Sequence, residues 1–199
     1  MKTKMKDHDD QDNLDNIPIF PGYVETYIKL AKDRIIFLNE DVTKQAAANL
    51  SALLLYYDNE NSDESISIYI HCSGGDAAGL VNIYDVMQMI KSPIKTICIG
   101  KCYSAGAIIL AAGNVGERYA FKHSKIMIHG VQAGFPILGH DITNSKSYYD
   151  FLKDSNDKIM KILSDHTGHS LEKIKQDCLR DVWLDAKQAL DYGLIDEIL

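Results

Sequence analysis

One segment constrains this chain more than any other. An alternating run over 65–70 puts Ile66, Ile68 and Ile70 on one side. Ser73-Gly74-Gly75-Asp76 follows, then a largely apolar stretch over 77–90 that stops at Ser92-Pro93. Alternation with period two marks a half-buried strand. The glycine pair marks a tight turn, and the proline bars continuation of a helix. A second apolar run over 95–99 completes a strand, helix, strand unit. Such a unit folds as a crossover that lays its helix against a parallel sheet.

The same rhythm is expected on both sides of this unit. A buried-type strand is expected over 34–38, ended by Asn39-Glu40-Asp41. Thr43 is a plausible N-cap for an alanine-rich helix over 44–57. After the strand over 95–99, residues 100–103 read as a tight connection and 104–112 as a helix rich in small residues. Short strands are expected over 118–121 and 125–128, the second ending at His129. A long helix over 141–163 follows an irregular stretch and reads as an assembly element standing apart from the sheet. Shorter helices over 171–176 and 185–192 and a closing strand or hook at Leu194-Ile195 complete the chain. Residues 23–30 fit either a short helix or an extended lead-in. The fold class is α/β, with a mainly parallel sheet, crossover helices and a protruding late helix. Residues 1–16 read as a flexible polar tail and 17–199 as a single domain.

Composition narrows the function classes. The 199 residues are 46% hydrophobic and 25% charged, with a formal net charge of −7. That balance disfavours a nucleic-acid surface, which needs excess positive potential. No apolar run of membrane-spanning length occurs, and the aspartate-rich start does not read as a signal peptide, so a cytoplasmic location is expected. The four cysteines lack CxxC spacing and are expected as free thiols. His123 with His129, or His166 with His169, could approach a metal, but neither pair comes with carboxylates or thiols at a recognised spacing. Gly74-Gly75 matches neither the dinucleotide fingerprint nor a phosphate-binding loop.

Chemistry in open α/β sheets gathers outside the carboxyl ends of the strands. Gly74-Gly75, Ser104 and His129 each follow an expected strand, so the three can meet on one edge. Ser104 at a helix start is either a nucleophile or a simple N-cap. The N–H groups of Ala105 and Gly75 could then face a developing oxyanion. His129 is either a general base or a partly buried structural histidine. A base needs an orienting acid, and Asp141, Asp150, Asp154, Asp165, Asp177, Asp181 and Asp185 all remain open. Cys102 is a rival nucleophile.

From Ile17 to Leu199 the chain resembles the proteolytic subunit of the Clp protease family. The resemblance rests on the 32–38 run, Ser73-Gly74-Gly75, the 83–90 helix, Thr96-Ile97-Cys98-Ile99-Gly100 and Tyr103-Ser104-Ala105-Gly106-Ala107. It continues through Ile126-Met127-Ile128-His129, His166-Thr167-Gly168, Arg180-Asp181 and the 189–196 run. The sequence departs from the family at four places, one being a shorter segment between Pro18 and Arg34. His71-Cys72-Ser73 stands for Asn-Ser-Pro, Tyr103 and Ala105 flank the serine in place of a small residue and Met, and Gly130-Val131 replaces Gln-Pro after the histidine.

The resemblance implies a Clp-protease/crotonase-like fold and a serine endopeptidase acting on unfolded polypeptides. It assigns the nucleophile to Ser104, the base to His129, the orienting acid to Asp181 and the oxyanion donors to Gly75 and Ala105. It maps the substrate-pairing strand onto Ala133, Gly134, Phe135, Ile137 and Leu138. It also implies two stacked seven-membered rings joined through helix 141–163, and a partner AAA+ ATPase that feeds substrate. No cofactor, metal, nucleic acid or membrane enters. Two alternatives stay open: a catalytically silent ring subunit, and an acyl-CoA hydratase/isomerase-like enzyme using the Gly75 and Ala105 N–H groups for an enolate.

Overall fold

The computed structural model describes residues 23–132 and 142–199. The expected tail, 1–16, lies outside them. The chain divides into two compact units, 1–33 and 34–199. In the first, the described part is helix α1 (Tyr23–Lys32), so the lead-in is helical.

The second unit is an α/β fold whose central mixed sheet is flanked by helices. Strands β1 (Ile35–Leu38), β2 (Ile66–Cys72), β3 (Ile94–Tyr103), β4 (Arg118–Ala120) and β7 (Glu197–Ile198) lie side by side in that order, all parallel. Strand β5 (Lys125–Ile128) pairs parallel with β3, and β6 (Val182–Asp185) pairs antiparallel with β5. The alternation read in the sequence is the alternation of burial: Ile66, Ile68 and Ile70 are fully enclosed. Enclosing such a side chain contributes about 1.5–3 kcal/mol.

The helices form where their ends are satisfied. Thr43 caps α2 (Lys44–Glu60), its hydroxyl accepting the Ala46 N–H at 3.0 Å. Asp76 caps α3 (Ala77–Met89) through the Gly79 N–H at 3.0 Å. Helix α4 (Ala105–Ala111) is buried along its whole length, which its small residues permit. Helix α5 (Ile142–Thr167) packs Ile159, Met160 and Leu163 into the core, while Tyr149 and Phe151 nearer its start remain exposed. Helices α6 (Leu171–Asp177) and α7 (Ala186–Asp191) bracket β6, and Asp185 and Gln188 close α7 with a reciprocal capping box.

Two expectations need correction and one strand is unforeseen. Residues 100–103 are not a turn but the second half of β3. Ile70 pairs with Cys98 and Cys72 with Cys102, so one intervening residue on β2 faces three on β3. Gly100, at φ +79°, absorbs the excess as a bulge that glycine alone tolerates without strain. Past the bulge, β3 leaves β4 and pairs with β5. Second, the closing strand is Glu197–Ile198 rather than Leu194-Ile195, whose side chains are buried instead. The run Val182-Trp183-Leu184 is a strand that the sequence reading did not assign.

Candidate active site

The switch of β3 between neighbours places the site. Its carboxyl end lies between β2, which leads into Gly74-Gly75, and β5, which leads into His129. Ser104 follows β3 directly with φ +53° and ψ −120°, a conformation that costs a non-glycine residue about 1–3 kcal/mol. The strand's pairing holds it there: its N–H donates to Met127 O at 2.8 Å. The side chain makes no N-cap hydrogen bond, so the simple capping reading of Ser104 does not describe it. This is the sharp strand-to-helix turn that raises a hydroxyl above a sheet edge.

His129 Nε2 lies 2.8 Å from Ser104 Oγ. In the tautomer that accepts the hydroxyl proton, the ring's own proton is on Nδ1. Nδ1 lies 3.3 Å from Asp181 Oδ1. The approach is out of line, so this buried nitrogen has no hydrogen-bond partner among the described residues. The His129 side chain is 14% exposed and that of Asp181 43%.

Asp181 arrives through the unassigned strand. Ile128 pairs with Val182 in the antiparallel β5–β6 ladder, so one step further His129 faces Asp181. The other candidate aspartates are engaged elsewhere or lie outside this contact. Asp154 pairs with Lys158, Asp165 with Lys161, and Asp177 with Lys173 and Tyr192. Asp185 caps α7, Asp150 is exposed on α5, and Asp141 lies outside the described residues.

Gly74 and Gly75 adopt φ +112° and +141°. Val42 N–H donates to Gly74 O and Asp76 N–H donates to Val42 O, both at 2.7 Å. This bridge uses the groups on either side of Gly75, so the Gly75 N–H points away from Val42. A Cβ at Gly75 would lie 2.4 Å from Val42 O, so no side chain fits. Ala105 N–H stands at the first position of α4, where an intrahelical acceptor does not exist. Gly75, Ser104, Ala105 and His129 border one cleft of about 460 Å³, whose deeper wall includes Leu80, Ile108 and Ile159.

Cys102 is fully buried behind this edge, its thiol donating toward Ile70 O at 3.6 Å. Burial, reinforced by contact with Cys98, pushes its pKa well above the usual thiol value. It does not border the cleft. All four cysteines are free thiols. Among the described residues no group of three His, Cys, Asp or Glu side chains converges as metal ligands would. No described helix is long and apolar enough to cross a membrane. The expected substrate-pairing residues Ala133, Gly134, Phe135, Ile137 and Leu138 lie outside the described residues.

Fold and site together define an α/β protein with a hydroxyl, an imidazole and a carboxylate in a row at the carboxyl edge of its sheet. The family model described as Clp protease matches residues 22–199. The chain belongs to the Clp protease family.

Proposed function

We propose that this protein is a serine endopeptidase working by acyl transfer. The observation that carries the reading is the 2.8 Å contact between His129 Nε2 and Ser104 Oγ on a strained strand-to-helix turn. His129 removes the Ser104 proton as Oγ attacks the peptide carbonyl carbon. The N–H groups of Gly75 and Ala105 receive the oxyanion; losing one such donor typically costs about 10²–10³ in rate. His129 then protonates the leaving amine, and water hydrolyses the acyl-enzyme with the same imidazole as base. Asp181 holds the ring in the tautomer with Nδ1 protonated.

Family membership supports the rest of the reading. The substrates are unfolded polypeptides, the segment 133–138 pairs with them, and the 17–199 domain assembles into two stacked seven-membered rings joined through α5. An AAA+ ATPase feeds the chamber, and the location is cytoplasmic. No metal or cofactor takes part in the steps. The out-of-line contact between Asp181 and His129 favours one second reading, a catalytically silent subunit in such a ring.

Labelling with a serine-directed phosphonate, combined with native mass measurement, tests both. Wild type is expected to label once per subunit and Ser104→Ala not at all, in a particle of fourteen-subunit mass. A wild-type particle of that mass that never labels or cleaves peptides supports the silent reading and removes the peptidase one.

A further inference from the structure

His129 Nδ1 and Asp181 Oδ1 are 3.3 Å apart but not aligned, so the carboxylate alone does not fix where the ring lies. The main chain just beyond it is held twice. Gly130 N–H donates to Cys178 O at 3.1 Å, and Val131 N–H donates to Asn156 Oδ1 at 2.9 Å. The first bond ties the segment to the end of α6, three residues before Asp181. The second is made by a side chain of α5, whose next turn, Ile159 and Met160, is anchored in the core.

We infer that Asn156 is a positioning residue for His129. Two features of the chain make the contact specific. Val131 carries an N–H that needs an acceptor in this partly enclosed place, and Asn156 supplies it. Gly130 lets the helix come close: a Cβ there would lie 3.0 Å from Asn156 Oδ1 and 3.3 Å from Cys178 O. Asn156 acts by fixing the backbone two residues past His129. Rotation of the peptide after His129 would carry the ring away from Ser104 Oγ, and displacements near 1 Å cost about 10²-fold in rate. The same bond links the long helix to the site, so a shift of α5 at residue 156 is felt at residue 129.

The inference rests on the proposed role of His129 as base. Its test compares wild type, Asn156→Ala and Asn156→Asp as assembled full-length protein, with a short fluorogenic peptide and the phosphonate. Asn156→Ala is expected to lower kcat and the labelling rate by about 10²-fold with KM unchanged. Asn156→Asp keeps an acceptor oxygen of the same reach and is expected to retain most of the rate. Equal kcat in wild type and Asn156→Ala overturns the inference, as does equal loss in the Ala and Asp variants. If wild type neither cleaves nor labels, the peptidase reading fails and NMR of the His129 Cε1–H across pH decides whether Asn156 positions the ring. A titration displaced in Asn156→Ala and returned in Asn156→Asp upholds it; coincident titrations overturn it. If Asn156→Ala fails to assemble, the near-isosteric Asn156→Leu, which removes the acceptor and keeps the volume, takes its place in the same comparison.

Discussion

Gly74 and Ser104 occupy space that admits only one side chain. A Cβ built on Gly74 lies 2.7 Å from Ser104 Cβ and 3.2 Å from Ser104 Oγ. Gly74 also sits at φ +112°, where any L-residue is strained. Gly74→Ala is expected to destabilise the fold by about 1–3 kcal/mol, read from urea unfolding. The hydroxyl must move to relieve the clash, so phosphonate labelling is expected to fall far more than the folded fraction. Wild-type labelling in Gly74→Ala would show that the hydroxyl's position does not matter.

Asp181 is expected to matter through the ring's tautomer rather than through its charge at the surface. Asp181→Asn should leave the unfolding midpoint nearly unchanged, since the side chain is 43% exposed. Peptide hydrolysis should fall steeply, up to roughly 10⁴-fold, as an amide can present its N–H to Nδ1 and favour the wrong tautomer. Steady-state kinetics with a short peptide checks this. An unaltered kcat would remove Asp181 from the site.

The carboxyl-terminal segment is held by one buried cation. Arg118, 6% exposed, meets Asp196 through NH2 to Oδ1 at 2.6 Å and Nε to Oδ2 at 2.8 Å, and donates from NH1 to His166 O and Gly193 O. Burial pushes the Asp196 carboxyl up, but the Arg118 hydrogen bonds and charge outweigh it and hold the pKa below the usual carboxylate range. A folded-state pKa below the unfolded one gives stability that is present above the unfolded value and is lost as pH falls through the folded value. Unfolding midpoints measured from pH 6 down to about pH 2 should therefore drop in wild type, and drop less in Asp196→Asn. Arg118→Met leaves the partly exposed Asp196 carboxylate without its cation and should cost about 1–3 kcal/mol near neutral pH.

The thiols are expected to be silent. Burial pushes the Cys178 thiol up to about 11 and raises those of Cys72 and Cys102 as well. All four cysteines are buried. A disulfide reagent at pH 8 should therefore titrate none of them until denaturant is added. Cys102→Ala should keep phosphonate labelling at Ser104, and loss of labelling with a folded particle would revive Cys102 as the nucleophile.

Much of this architecture was legible in the residues because local physics and tertiary structure agree. The alternating isoleucines of β2, the Thr43 cap and the Ser92-Pro93 stop all act within a few residues of themselves. The meeting of Gly75, Ser104 and His129 was legible for a similar reason, since each follows a strand and parallel strands bring their ends together. What stayed hidden depends on partners distant in sequence. The bulge at Gly100 is defined only by which residues of β2 and β5 lie beside it. Residues 182–185 are too short for periodicity to declare them a strand, yet their register with β5 is what carries Asp181 to His129. Val182-Trp183-Leu184 between two aspartates was the available signal. The contact from Asn156 to Val131 had no sequence signal, because a single asparagine on a polar helix face resembles a solvated one.

The departure of β3 from β4 at the Gly100 bulge also partitions the molecule. Upstream, the strand belongs to a branch containing β4 and β7; downstream, it belongs to a branch containing β5, β6 and the Ser104 turn. The edge made by β4 and β7 and the edge that aims the hydroxyl thus part at a single residue. One glycine decides which neighbour each half of the strand answers to.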